Sequence, residues 1–164
     1  MRAVVQRVAA SRVEIAGETV GEIGQGLMIL LGVAETDTEE EMRFLAKKIV
    51  NLRIFTDENE KMNLSLMDIG GSALVVSQFT LYADCKKGNR PSFIAAGKPP
   101  VSEPLYEAFV HELIALGVEK VATGRFGADM QVYIQNDGPV TIVLDTDELS
   151  PKRVAVRKLE KEGR

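Results

Sequence analysis

Leu27-Met28-Ile29-Leu30-Leu31-Gly32-Val33 is apolar at consecutive positions, the pattern of a strand buried on both faces in the middle of a sheet. Its flanks define the rest of the sheet. Upstream, residues 2–8 read as a strand, with Val4 and Gln6 on one face and Val5 and Arg7 on the other. Arg12-Val13-Glu14-Ile15 alternates again, and Ala16-Gly17-Glu18 supplies a turn into residues 19–23, which predicts a β-hairpin. Downstream, Thr38 followed by Glu41 forms a capping-box pattern at a helix start. Met42, Leu45, Ile49 and Leu52 then recur at helical spacing as one apolar stripe, while Asp37, Glu39 and Glu40 suit the positive end of the helix dipole.

Further along, a short strand at residues 53–55 and a polar loop precede Ala73-Leu74-Val75-Val76, a second buried strand. A second helix is predicted to start near Ser102, with Glu103 and Pro104 in its first turn, where proline costs little. Leu105, Phe109, Leu113 and Leu116 form its stripe and Gly117 its cap. Three β segments, residues 121–126, 130–136 and 140–144, close the pattern. Strands outnumber helices, and their order is not a regular β-α-β alternation. The expected fold is therefore α+β: one domain with a curved or barrel-like, mainly antiparallel sheet and two packed helices.

At 164 residues the chain suits a single domain with a sizeable core. No apolar run approaches the roughly 20 residues that span a bilayer, and MRAVVQRV lacks the continuous apolar stretch of a signal peptide, so no membrane association and a cytoplasmic location are expected. Charge is uneven. The net charge is −4, yet the six cations and two carboxylates of residues 151–164 make that stretch +4 and leave −8 for the remainder. Such a balance argues against broad electrostatic binding of nucleic acid, so any contact must be local. The basic C-terminal tail and Lys86-Lys87-Gly88-Asn89-Arg90 are the candidates.

Nucleophilic constellations are poorly supplied. Cys85 and His111 are each the single residue of their type, so disulfides and Cys- or His-rich metal clusters within one chain are excluded. His111 falls mid-helix beside Glu112 and is read as non-catalytic. Cys85 sits among lysines that favour a thiolate, with nothing else to mark it as a nucleophile. Glu39 to Glu41 and the Asp145, Asp147 and Glu148 group are explained by capping and turns. Neither a metal nor a cofactor is expected. Two segments stand apart. Ser77-Gln78-Phe79-Thr80-Leu81-Tyr82-Ala83-Asp84 ends an apolar strand in hydroxyl, amide and aromatic side chains, where backbone N–H groups leaving the ladder can serve as an oxyanion hole. Asn136-Asp137-Gly138-Pro139-Val140-Thr141 reads either as a hairpin turn or as a Gly-Pro unit presenting main-chain atoms at a site.

Together these segments resemble the D-aminoacyl-tRNA deacylase family. Met1-Arg2-Ala3-Val4-Val5-Gln6-Arg7-Val8 is similar to its start, Ser77-Gln78-Phe79-Thr80-Leu81 to its first signature and Asn136-Asp137-Gly138-Pro139-Val140-Thr141 to its second; Gly88-Asn89-Arg90-Pro91-Ser92-Phe93 is also similar to a family segment. The resemblance divides the chain into a deacylase domain, residues 1–149, and a basic tail, residues 150–164. It implies hydrolysis of D-aminoacyl-tRNA, and of glycyl-tRNA, by a homodimer with its active sites at the subunit interface. A cis Gly138-Pro139 would enter the partner's pocket, capture the substrate's α-amino group and exclude an L side chain, with Arg7 holding the motif and Asn136 beside it. Backbone N–H groups around Gln78, Phe79 and Thr80, next to Ser77, would hold the ester carbonyl of the tRNA 3′ end. Phe79 would lie near the terminal adenosine, whose 2′-hydroxyl would help to activate water, although Thr80 is also a candidate nucleophile. The alternatives are a related editor with relaxed chirality and a non-catalytic tRNA-binding dimer.

Overall fold

The computed structural model describes residues 1–162. In chain order the elements are β1 (Arg2–Ile15), β2 (Glu18–Ile23), β3 (Gly26–Gly32), α1 (Glu39–Val50), β4 (Phe55–Thr56), β5 (Met62–Leu64), β6 (Ser72–Ser77), a 3-10 turn (Phe79–Tyr82), α2 (Pro99–Ala115), β7 (Val121–Thr123), β8 (Gln131–Asp145), α3 (Thr146–Leu149) and α4 (Pro151–Glu162). The two segments expected before residue 16 are one strand, β1. It turns through Ala16 and Gly17, both at positive φ, into β2, as a two-residue hairpin of matching twist requires.

β1 pairs antiparallel with β2, β3 and β8, whereas β3 to β6 and β6 to β7 are parallel. The sheet therefore runs β2-β1-β3-β6-β7 with β8 along the other side of β1, a mixed sheet in which the antiparallel pairs all involve β1. It curves until β7 returns to β2. Gly21 lies so close to the Thr123 carbonyl that a Cβ would come within 2.3 Å of the oxygen, so glycine is what lets the barrel nearly close.

β3 is buried on both faces, as its composition predicts. Leu27, Ile29 and Leu31 join Val75, Leu45, Ile49, Phe109 and Leu113 in the main core beneath α1 and α2. Met28 faces Val8, Val13, Leu74 and Val76 in a second cluster on the concave side. Helix α1 carries the expected capping box: the Thr38 hydroxyl accepts from the Glu40 N–H, and the Glu41 carboxylate accepts from the Thr38 N–H at 2.9 Å.

Helix α2 begins earlier than the sequence suggested. Pro99 and Pro100 occupy its first turn, which places Pro104 inside the helix. The Pro104 ring supplies no N–H to the carbonyl one turn back, but that carbonyl belongs to Pro100, still in the first turn. Tyr106 accordingly takes a core seat and donates its hydroxyl to the Val75 carbonyl at 2.9 Å, while Leu105 and Leu116 are only partly buried. The end is as expected: Gly117 at φ +100° lets its own N–H reach the Ile114 carbonyl and that of Val118 reach Leu113.

Much of the stretch read as a tail is helical, in α4, with the short α3 just before it; Gly163 and Arg164 lie outside the described residues. Arg153 fastens α4 to the start of α1. It donates to Glu41 at 3.0 Å and to the Thr36 carbonyl, and it lies 3.5 Å from Asp37. Asp37, assigned from sequence to the helix dipole, is buried and accepts from the Met1 ammonium at 2.7 Å. Burial pushes the Glu41 carboxyl up, but hydrogen bonds from Arg153 and Thr38 outweigh it and hold the group at about 2.

The folded protein thus binds that proton more weakly than the unfolded chain, and the stabilisation is complete above the ordinary carboxylate range near 4.5 and fades as pH falls toward 2. Arg153→Ala is expected to cost about 1–2 kcal/mol at pH 7, discounted for the partial exposure of the arginine. That is a fall in Tm of roughly 3–6 °C, shrinking as pH is lowered from 5 to 3. Thermal melts across that range check it.

Candidate active site

β6 ends at Ser77, paired in register with Leu31 of β3, and the Gln78 N–H still donates to the Leu31 carbonyl at 2.8 Å. The chain then leaves the sheet in the 3-10 turn. Leu81 and Ala83 donate to the carbonyls of Gln78 and Thr80. The N–H groups of Phe79 and Thr80 open the turn, where an i→i+3 ladder offers them no acceptor. Two successive backbone donors are therefore left free, that of Phe79 in the wall of a cleft of about 600 Å³ and that of Thr80 next to it; Ser77, Gln78, Phe93, Phe126 and Met130 are among the other residues of the wall. Phe79 is 57% exposed and meets Phe93 edge-on at 5.1 Å between ring centroids. The Gln78 side-chain amide donates to the Thr80 hydroxyl.

Two residues that sequence reading did not select hold this turn. Arg2 donates to the Leu81 carbonyl at 3.0 Å, pairs with Asp145 at 2.8 Å and lies over the Tyr82 ring at 4.6 Å. Burial, reinforced by the nearby carboxylates Asp37 and Asp145, drives the Tyr82 hydroxyl far above its ordinary range, so it stays protonated. Gly32 supplies clearance: a Cβ there would meet the Gln78 carbonyl at 3.1 Å and Leu81 and Tyr82 at 3.2–3.3 Å. The signal for both lay in sequence only as a basic residue at a strand start and a glycine at a strand end.

The second candidate segment is neither a hairpin turn nor a break between two strands. β8 is continuous and pairs with β1 on both sides of it, with Gln6 opposite Thr141 and Val8 opposite Asn136. Four residues, 137–140, thus stand against Arg7 alone and bulge from the ladder. Arg7, 9% exposed, fills the gap: its Nε donates to the Asp137 carbonyl at 2.9 Å and Nη1 to the Ile54 carbonyl at 2.7 Å, with the Asp137 carboxylate 3.4 Å away. Asn136 ties the base of the bulge, accepting from the Val140 N–H at 2.9 Å and donating to the Thr141 hydroxyl at 3.1 Å. Gly138-Pro139 is a cis peptide, with Gly138 at φ +134°. Both residues are exposed.

The structure thus brings Arg7, Asn136, Gly138 and Pro139 together, and Ser77, Gln78, Phe79 and Thr80 together, but as two separate groups. The cleft wall contains Met130 and Val132 of the β8 side and no residue of the bulge. His111 and Cys85 are exposed. No cluster of three or more His, Cys, Asp or Glu side chains able to hold a metal occurs among the described residues, and no helix among them is long and apolar enough to cross a membrane.

The chain matches the model of the family described as D-Tyr-tRNA(Tyr) deacylase over residues 4–145. It is 61% identical over 146 residues to a D-aminoacyl-tRNA deacylase of Clostridium botulinum strain 657, covering 89% of this chain and 97% of the relative. A D-aminoacyl-tRNA deacylase of Chloroflexus aurantiacus is 59% identical over 158 residues, 96% of this chain and 98% of that one. Among solved structures, the c-Myc DNA unwinding element binding protein superposes with a TM-score of 0.84 at 45% identity, covering 88% of this chain and 98% of that chain.

Proposed function

The chain belongs to the D-Tyr-tRNA(Tyr) deacylase family, and from that membership and the geometry of the cleft we infer how it hydrolyses the ester linking a D-amino acid to tRNA. The observation that carries the reading is the pair of ladder-free amides, that of Phe79 in the wall of a cleft with an exposed aromatic pair and that of Thr80 next to it. Main-chain donors fixed by a folded turn stabilise a developing oxyanion without having to reorganise. The terminal adenosine stacks against Phe79 and Phe93, as bases of single-stranded ends stack on aromatic side chains. The ester carbonyl then lies against the two amides. Water adds to the carbonyl carbon with help from the adenosine 2′-hydroxyl, the bond to the ribose oxygen breaks, and the proton passes to that oxygen. The products are the free amino acid and the free tRNA.

Chirality is read by Gly138-Pro139, supplied to this cleft by a second copy of the chain. Three features support this. The bulge is exposed, it is absent from its own subunit's cleft, and it rises from a long edge strand carrying Tyr133, Ile134 and Val143, which are 42%, 37% and 71% exposed. An unpaired, apolar strand edge is a surface that proteins cover. Main-chain atoms of the motif take the α-amino group and leave no room for an L side chain, so discrimination comes from a clash that a fixed backbone cannot relieve. Glycyl-tRNA, with no side chain to exclude, is also hydrolysed. Action in the cytoplasm fits a substrate that is an intermediate of translation.

Single-turnover deacylation of D-tyrosyl-tRNA and L-tyrosyl-tRNA tests the reading, with release of the D-amino acid alone expected. Binding of both without release by a folded dimer would instead make the chain a tRNA-binding module. Thr80 is exposed, and its hydroxyl is engaged by Gln78 with no imidazole beside it to act as base. Thr80→Ala is accordingly expected to keep its rate within about fivefold of the parent under the same assay. Complete loss in a folded, substrate-binding variant would assign Thr80 the role of nucleophile.

A further inference from the structure

Residues 1–150 carry a net charge of −8, yet Lys86, Lys87 and Arg90 fall within five residues of one another. The structure gives that cluster a fixed place. Asp84 and Ser92 exchange backbone hydrogen bonds at 2.8 and 2.9 Å, closing the intervening residues into a hairpin, and Gly88 takes the positive φ of +66° that its tip requires. The hairpin leaves directly from the 3-10 turn that carries Phe79 and returns directly into Phe93, the two rings that meet at the cleft mouth. A hairpin anchored at both ends to the site keeps its cations within a few residues' reach of it, at no more than about 3.3–3.6 Å per residue.

All three cations are exposed. The Asp84 carboxylate accepts from the Lys86 N–H at 2.9 Å and lies 3.9 Å from the Lys86 ammonium, so Lys86 is partly neutralised. Lys87 and Arg90 make no ion pair among the described residues. By contrast Arg153, in the other basic stretch of the chain, is occupied by Glu41 and Asp37. Aromatic side chains for bases beside cations for the backbone is the general composition of a surface for single-stranded nucleic acid.

The geometry points to a phosphate-binding site: Lys87 and Arg90, on the hairpin closed by Asp84 and Ser92, take the phosphodiesters just upstream of the esterified terminal nucleotide. The site rests on the deacylase reading, which places that nucleotide at Phe79 and Phe93. It extends the reading by assigning where the preceding strand runs. It also explains how a chain of net negative charge holds a polyanion, through two local contacts and not a basic face.

The test compares D-tyrosyl-tRNA with the D-tyrosyl ester of adenosine, which has no upstream phosphate, in single-turnover assays of the full-length protein. Lys87→Gln combined with Arg90→Gln is expected to raise the tRNA concentration giving half-maximal rate about tenfold without changing the maximal rate. The dependence of log affinity on log salt should flatten by about 1.4, the loss of two single-strand phosphate contacts. Cleavage of the adenosine ester should be unchanged, and the charge-conserving Lys87→Arg with Arg90→Lys should behave like the parent on both substrates. An unchanged half-maximal concentration and salt slope would overturn the site. So would a parallel loss on the adenosine ester, because the damage would then lie in the cleft. A parent protein that cleaves neither substrate would instead remove the deacylase reading on which the site depends.

Discussion

Replacing Gly138 with alanine is expected to lower the single-turnover rate on D-aminoacyl-tRNA by about 100-fold while leaving the melting transition cooperative. The added Cβ would stand 2.8 Å from the Arg7 guanidinium and 2.9 Å from a Val140 methyl group. Gly138 also holds φ at +134°, a conformation that side-chain-bearing L residues rarely adopt. The bulge must therefore shift as a unit, carrying Pro139 with it. A displacement of about 1 Å in a positioning element is enough for two orders of magnitude in rate. The sheet should survive, because the ladder on either side is made by Gln6, Thr141, Val8 and Asn136, and the atoms nearest the new methyl group belong instead to Arg7 and Val140. A variant with the parent's rate and the parent's rejection of L-aminoacyl-tRNA would show that the motif does not read the substrate.

The second large effect is expected at Arg7. Its guanidinium joins two carbonyls from distant parts of the chain, Asp137 and Ile54, and Ile54 is buried. Arg7→Ala strands both acceptors and removes the only β1 side chain facing the bulge. We expect a loss of about 2–4 kcal/mol in urea unfolding and a fall in deacylation of at least about 50-fold. Arg7→Lys should recover little, because one ammonium cannot span two carbonyls that a planar fork reaches from separate nitrogens. The effect of Arg7→Ala should also be far from additive with that of Gly138→Ala, as both act by releasing the same four residues. Full recovery of rate and stability in Arg7→Lys would refute the two-carbonyl role and leave a requirement for charge alone.

What could be read without coordinates follows how far each feature reaches along the chain. The capping box at Thr38 and Glu41, the stripe Met42, Leu45 and Ile49, and the Gly117 cap were all legible because each is settled within a turn or two of its own sequence. β3 was legible because burial on both faces leaves a continuous apolar run. Features fixed by register were not. Nothing in Asn136 to Thr141 distinguishes a hairpin turn from a bulge; the difference lies in β1 continuing past Val8 and offering partners to both halves of β8. The early start of α2 was hidden because proline at the first turn and proline as a terminator look alike from a short window. At the site, the polar end of β6 drew notice for its composition, and its sharper reading came from family resemblance. The supports of that turn, Arg2 and Gly32, are distant in sequence and carry no local mark. The basic stretch at the C-terminus gave no sign that Arg153 would reach back to Glu41 and Asp37.

The bulge on β8 also bears on how such a protein changes over time. Pairing with β1 continues on both of its flanks, with a further register shift between Val8 and Ala10, so those four residues are an insert that the ladder itself does not pair. Val140 packs against the main core, and the rest of the anchoring depends on one arginine and one asparagine side chain. Substitutions at the exposed Asp137 and Pro139 are thereby largely separated from the demands of folding. On the proposed reading, a stereochemical filter built in this way can be retuned, relaxed or lost by a handful of local changes, while the scaffold that carries it stays as it was.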